Sequence, residues 1–438
     1  MGSQFLIGAV HSGSGKTILT LGLLKALRNR GLVVHSFKSG PDYIDTKFHE
    51  RASGNKTINL DLFLASANHV QETYRKHASP CDVAITEGVM GLFDGYEKME
   101  GSSAQLARML DIPVILVVNA KSMAYSVAPL MYGFMNFRKD VHVAGVIFNW
   151  VGSDSHYAFL KEACDDVGLA PLGYLPKNKK LEIPSRHLGL KIDLETPFDI
   201  FADHAAALVE EHVDLDGLLT LTRKENRPFL ANNTGRKAIS REGDSFIQSA
   251  VAFDEAFNFM YHENIEYLKQ RGTVAFFSPI HDKKLPDADF VYLPGGYPEL
   301  YLKPLSDNTD MKDSIRRYVE QGGRLLAECG GMLYLSSSMT DENGKEYPML
   351  SIFNQKATMQ NAKLTLGYRK FEYNGVKMKG HEFHYSSLES NLESITKQYS
   401  AASKPVDTKL LRYKNAIAGY THLYWAETDN LMDLFQNR

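Results

Sequence analysis

Cys329 sits in the setting that most invites chemistry. In "RLLAECGGMLYL" it follows a short apolar run and precedes two glycines, so a strand feeds a tight turn that opens a helix. That is a nucleophile elbow with sulfur in place of oxygen, and a helix N-terminus favours the thiolate. A free cysteine is more commonly a small buried hydrophobe. The neighbouring "YLPGGYPELY" argues against that here, because a strand ending in Gly295 and Gly296 offers backbone N–H groups for an oxyanion hole. The donors expected are Gly296 and Gly330. A cysteine nucleophile also needs a base, and His422 in the aromatic stretch "AGYTHLYWAE" is the candidate. Cys81 and Cys164 lack such a context. His381 and His384 in "GHEFHYS" have no third ligand at a suitable spacing, so no zinc is assigned to them.

The other end of the chain carries "GAVHSGSGKT", residues 8–17, between a strand and a helix, which is the context of a phosphate-binding loop. Gly13, Ser14 and Gly15 turn backbone N–H groups toward phosphate oxygens, Lys16 reaches the outer phosphates and the Thr17 hydroxyl can hold Mg²⁺. ATP or GTP is implied. The standard spacing asks for glycine where Val10 stands, so the loop is a deviant one. Two later strands end in "FKSGPDYIDTKFH" and "DVAITEGVMGLFDG", and parallel strands would bring Lys38, Asp42, Asp45 and Glu87 to the same edge. Lys38 is placed with the nucleotide, and Thr17, Asp45 and Glu87 with the metal. Either aspartate can instead cap the next helix. Asn149, closing "VAGVIFN", either reads an adenine edge or serves a turn.

These residues need a scaffold of parallel strands, and the alternation of short β-branched runs with helical patterns supplies one. "FLIGAV", "LVVHSF", "DVAIT", "PVILVV" and "VAGVIF" read as buried strands, and "ILTLGLLKALRNRG" as a helix ending at Gly31. A polar stretch at 226–245 reads as a linker. After it, "TVAFF", "FVYLP" and "RLLA" alternate with "NIEYLKQRG" and "MKDSIRRYVEQGG". The expected fold class is α/β, with two doubly wound domains: a P-loop domain over 1–225 and a second domain over 246–438.

The composition is that of a soluble globular protein. Lys+Arg 49 against Asp+Glu 52 leaves a net charge of −3, so no basic excess points to nucleic acid or to an anionic membrane. The apolar start runs straight into the glycine-rich loop and is too short to span a bilayer. Three well-separated cysteines fit a reducing cytoplasm rather than a disulfide framework. A homodimer is left open.

Taken in order, "HSGSGKT", "KSGPDYIDTKFH", "EGVMGLFDG", "SRHLGL", "DEAFNFMYHENIEYL", "FFSPIHDKKLP", "YLPGGYPELY", "AECGGMLYL" and "GHEFHYS" resemble the motifs of the cobyrinic acid a,c-diamide synthase family across nearly the whole chain. The resemblance implies a dethiobiotin-synthetase-like ATP domain joined to a class I glutamine-amidotransferase domain. It implies ATP- and glutamine-dependent amidation, through acyl phosphates, of the a and c acetates of a corrinoid polycarboxylate, with Asp42, Tyr43 and Arg186 facing that substrate. Cys329 would form a γ-glutamyl thioester and release ammonia. Three departures stand beside the matches, one being that "ISREGDSFIQSAVAFDEAF" is longer and more polar before the DEAF stretch than the family leads one to expect. Ala9 and Val10 replace the family's usual Gly-Thr, and Tyr424 stands where ordinary class I enzymes carry a glutamate, so Cys329 and His422 would act as a dyad. Within the same chemistry the rivals are cobyric acid synthase and the synthases that act on hydrogenobyrinate or nickel-sirohydrochlorin. Outside it they are a ParA-like nucleotide switch, which has no role for Cys329 or His422, and an amidotransferase-like pseudoenzyme.

Overall fold

The computed structural model describes residues 2–178, 198–224, 246–360 and 363–436. Two compact units make up the chain, Met1–Asn232 and Asn233–Arg438.

In the first unit the apolar runs form β1 (Gly2–Ala9), β2 (Val34–Ser39), β3 (Ile58–Leu60), β4 (Val83–Glu87), β5 (Val114–Asn119), β6 (Val143–Val151) and β7 (Ala170–Pro176). They lie parallel in the order β3-β2-β4-β1-β5-β6-β7, and β8 (Arg223–Lys224) pairs antiparallel with β1. Burial on both faces explains why these strands read as continuous apolar runs; all of β1 is buried. Ile7 and Lys38 both stand opposite Glu87 in register, so β1, β2 and β4 end at one edge. There β1 feeds the glycine-rich loop and then α1 (Lys16–Asn29), while β2 leads to α2 (Ile44–Ser53). α1 stops at Gly31, whose φ of 82° is the left-handed geometry that closes a helix.

α1 packs against the helix Phe198–His212 at Gly22. A Cβ there would meet Val209 Cγ2 at 2.7 Å and the Ala205 carbonyl oxygen at 2.9 Å.

The second unit has a six-stranded sheet built from β9 (Ile247–Ala252), β10 (Gly272–Phe277), β11 (Phe290–Leu293), β12 (Arg324–Glu328), β21 (Leu410–Tyr413) and β22 (Ala416–Gly419), in the order β10-β9-β11-β12-β22-β21. All neighbours are parallel except β21 and β22. Doubly wound alternation describes only this part. Between β12 and β21 the chain forms β13 (Ser336–Thr340), β14 (Glu346–Pro348), β15 (Phe353–Thr358), β16 (Thr365–Tyr373), β17 (Val376–His384), β18 (Ser387–Glu389), β19 (Gln398–Ser400) and β20 (Pro405–Val406). One four-stranded sheet, β14-β13-β15-β18, and one five-stranded sheet, β20-β19-β16-β17-β23, result, the latter closed by β23 (His422–Tyr424). The sequence signal for the β16 and β17 hairpin is Asn374 and Gly375 between two alternating runs. Both adopt positive φ, 51° and 78°, as a two-residue turn requires.

Among the described residues no helix is long and apolar enough to cross a membrane. Because α1 meets its neighbour through a missing side chain, Gly22→Val is expected to destabilise the first unit by about 1–3 kcal/mol despite its better helix propensity. Thermal unfolding followed by circular dichroism checks this; an unchanged midpoint would contradict the close approach.

Candidate functional site

The glycine-rich loop is held from two sides. Gly15 has φ 101°, and a Cβ on it would meet Asn149 Nδ2 at 2.0 Å. That amide donates to the Ser14 carbonyl at 3.0 Å, while Asn149 Oδ1 accepts the Trp150 N–H at 2.9 Å. Asn149 therefore braces the loop through one N–H and one lone pair of its amide. The Ser14 hydroxyl donates to the His11 carbonyl at 2.8 Å, and Gly13, with φ 77°, leaves the loop tip open. Lys16 donates to the Met90 carbonyl at 2.6 Å, and burial lowers its pKa more than Glu87 raises it.

Beneath the loop lies a buried charge cluster. Lys38 donates to Asp45 Oδ2 and to Glu87 Oε1, each at 2.7 Å, with Asp42 Oδ2 at 3.9 Å. The Thr17 hydroxyl donates to Glu87 Oε1 at 2.9 Å and lies 3.4 Å from Asp45 Oδ2. His49 Nε2 completes the group, 2.8 Å from Glu87 Oε2. Burial disfavours the Lys38 ammonium, but Asp45, Glu87 and Asp42 together outweigh it and raise its pKa. Burial likewise opposes the Glu87 carboxylate, and Lys38 and His49 reverse the effect and hold its pKa well below the usual range. Lys38, expected beside a nucleotide, is thus the counter-ion of the two carboxylates expected to bind metal. Thr17, Asp45 and Glu87 form a set of hard oxygen donors. Such a set suits Mg²⁺.

Asp42 takes the capping role: its Oδ1 accepts the N–H groups of Ile44 and Asp45 at 2.9 and 2.8 Å, at the start of α2. Tyr43 beside it is buried. Arg186 lies outside the described residues.

In the second unit three parallel strands deliver the reacting groups. Gly295 and Gly296 follow β11, Cys329 follows β12, and His422 comes just after β22. Cys329 has φ 45° and ψ −107°, a strained non-glycine geometry that marks the elbow. Its N–H donates to the Gly419 carbonyl at 2.8 Å, and its carbonyl accepts from Leu333 at 2.9 Å to open the helix Gly330–Tyr334. A Cβ on Gly330 would lie 3.1 Å from Gly296 N and 2.8 Å from Pro298 Cδ, so the two expected oxyanion donors are backbone neighbours with no room for a side chain. A Cβ on Gly295 would meet His422 Cε1 at 2.1 Å, which brings the imidazole against the same turn.

His422 is buried and stacks on His381 with ring centroids 5.0 Å apart and planes 19° from parallel. His381 Nδ1 lies 2.8 Å from the Tyr261 hydroxyl, and the His384 ring stacks on Tyr420 at 3.6 Å, so both histidines are packing partners of the site. Burial, then His384, lowers the His422 pKa to about 3. Burial, then the Glu299 carboxyl, raises the Cys329 thiol above the ordinary range, against a smaller opposite pull from the Gly330 N–H. The expected thiolate character is therefore reversed, because desolvation exceeds what a helix of five residues can supply. At neutral pH both partners are neutral, a pair in which the imidazole can take the thiol proton as sulfur attacks. The sequence reasoning gave no role to Glu328 and Asn264, whose side chains fix the backbone of β23, although they lie in the quoted motifs "AECGGMLYL" and "DEAFNFMYHENIEYL".

A nucleotide-edge unit followed by a cysteine-elbow unit defines a nucleotide-dependent enzyme with its own glutamine amidotransferase domain. Residues 5–190 match the CobQ/CobB/MinD/ParA nucleotide binding domain, and residues 248–430 the CobB/CobQ-like glutamine amidotransferase domain. Cobyrinate a,c-diamide synthase of Caldanaerobacter subterraneus subsp. tengcongensis is 38% identical over 96% of this chain and 94% of its own. The enzyme of the same name from Picrophilus torridus is 38% identical over 99% and 98%, and hydrogenobyrinate a,c-diamide synthase of Brucella abortus 38% identical over 96% and 98%. The chain belongs to the cobyrinate a,c-diamide synthase family.

Two outcomes follow from the charges. Lys38→Met leaves two buried carboxylates facing each other and should cost the first unit about 3–5 kcal/mol in Mg²⁺-free buffer, part of which Mg²⁺ restores. Denaturant titrations with and without the ion measure both; wild-type stability without it would contradict the pairing. For Cys329, iodoacetamide should alkylate the folded protein slowly at neutral pH, with a rate still rising beyond about pH 8.5. A rate that levels off near pH 7 would mean a thiolate instead.

Proposed function

We propose that this protein amidates the a and c acetate carboxylates of cobyrinate, using ATP and glutamine, in cobalamin biosynthesis. The observation that carries the reading is the presence, on one chain with near full-length similarity to these synthases, of both a carboxylate-lined phosphate loop and a cysteine elbow beside the glycine turn on which a buried histidine packs.

At the elbow Cys329 sulfur attacks the carboxamide carbon of glutamine while His422 takes the thiol proton and then passes it to the leaving nitrogen. The N–H groups of Gly296 and Gly330 would face the developing oxyanion. Ammonia departs, and water hydrolyses the γ-glutamyl thioester to glutamate. At the loop an oxygen of the substrate carboxylate attacks the γ-phosphorus of ATP, and ADP leaves. Ammonia then attacks the acyl carbon, the bond from carbon to the bridging oxygen breaks, and phosphate departs with that oxygen. Lys16 exchanges the Met90 carbonyl for phosphate oxygens when nucleotide binds. Thr17, Asp45 and Glu87 would hold Mg²⁺, which supplies charge neutralisation at the phosphates when bound. Lys38 keeps the two carboxylates apart and correctly aimed.

Asp42, Tyr43 and Arg186 remain the residues proposed to face the tetrapyrrole, the aspartate through the turn that it caps. Hydrogenobyrinate is the second substrate to test, because a hydrogenobyrinate synthase matches this chain at the same 38% identity as the cobyrinate enzymes. A cytoplasmic location belongs to the same proposal, in keeping with three free, buried cysteines.

Cys329→Ala should abolish glutamine hydrolysis and glutamine-dependent amidation. With ammonium, ATP and Mg²⁺ the same variant should still convert cobyrinate to its mono- and diamides, followed by mass. Loss of the ammonium-dependent product would contradict the assignment of separate tasks to the two units. Conversion of hydrogenobyrinate but not of cobyrinate would move the substrate to the second reading.

A further inference from the structure

The histidine proposed above as base lies in β23, with Tyr424 in the place where ordinary class I enzymes carry a glutamate. That strand is only three residues long and, among the described residues, pairs with β17 alone. So short a strand does not hold its register by itself; something must fix its other edge.

The structure shows what does. On that edge the Leu423 N–H donates to Glu328 Oε1 at 3.1 Å, and the Leu423 carbonyl accepts from Asn264 Nδ2 at 2.8 Å. Asn264 Oδ1 in turn accepts the Trp425 N–H at 2.9 Å. Both side chains are almost wholly buried, Glu328 at 1% exposure and Asn264 at 0%. They supply the acceptor and donor that a neighbouring strand's backbone would otherwise provide. Glu328 is itself fixed, with Oε2 2.7 Å from the Tyr292 hydroxyl, and the Tyr292 ring meets Trp425 edge-on at 4.7 Å. Glu328 also precedes the nucleophile in sequence, so one residue ties the elbow to the strand of the base.

We propose that Glu328 and Asn264 are positioning residues for glutamine hydrolysis, a clamp on the Leu423 backbone that fixes the strand carrying His422 relative to the Cys329 elbow. The inference rests on the glutaminase assignment of Cys329. Burial pushes the Glu328 carboxyl up to about 8, so at neutral pH it is mostly the neutral acid. A glutamine side chain keeps the shape and an oxygen for the Leu423 N–H, giving up only the acceptor for the Tyr292 hydroxyl; leucine fills the space and offers Leu423 nothing.

The test compares Glu328→Gln, Glu328→Leu and Asn264→Asp in the full chain, measuring kcat and KM for glutamine hydrolysis, with ammonium-dependent amidation as a control. The leucine variant should lose about 100-fold in kcat with KM within about threefold, while the glutamine variant stays within about threefold of wild type in both. Asn264→Asp keeps the shape but sets a carboxylate oxygen against the Leu423 carbonyl, and should lose kcat in the same way. Slow alkylation of Cys329 identifies a folded second unit; if the leucine variant fails that check, Asn264→Asp decides. Leucine or aspartate variants with wild-type kcat, or a glutamine variant as slow as the leucine one, would overturn the clamp. A wild-type protein without glutamine hydrolysis would instead overturn the assignment of Cys329 on which the clamp rests.

Discussion

Parallel strands bring their C-terminal ends to one edge of a sheet, and both units depend on that constraint. In the first unit the ends of β1, β2 and β4 bring the glycine-rich loop, Lys38 and Glu87 within hydrogen-bonding distance, although they are far apart in sequence. In the second, the ends of β11, β12 and β22 bring the two glycines, the thiol and the histidine to one turn. Each site therefore needs only short connecting loops, and strained residues such as Cys329 are tolerated because strands on either side over-determine them.

Burial shapes the charges at both edges, with opposite results. At the phosphate loop two carboxylates and an ammonium are buried together and keep one another ionised. At the elbow desolvation drives the Cys329 thiol and the His422 imidazole toward neutrality.

Much of this was legible in the sequence because the signals are local. A strand, a glycine-rich loop with Lys16 and Thr17, and a helix must follow one another, as must a strand, Cys329 and two glycines. Convergence of Lys38 and Glu87 followed from parallel topology alone. What stayed hidden was which partner each charged or polar group would choose: Lys38 pairing with carboxylates, Asp42 capping α2, and Asn149 bracing Ser14. These depend on distances of a few ångströms between elements remote in sequence. The two smaller sheets of the second unit were missed for another reason. Apart from β16 and β17, of nine residues each, their strands are short, and the Asn343-Gly344 and Asn374-Gly375 pairs announce only two of their hairpins. Glu328 and Asn264 act on backbone, and their partner could be any residue type.

The most direct test of the account follows the oxygen that links the two halves of the proposed reaction. Cobyrinate labelled with ¹⁸O in its carboxylates, given ATP, glutamine and Mg²⁺, should yield phosphate carrying one labelled oxygen for each amide formed. Amide formation accompanied by unlabelled phosphate would show that the carboxylate is never phosphorylated, and would contradict the chemistry assigned to the phosphate-loop edge.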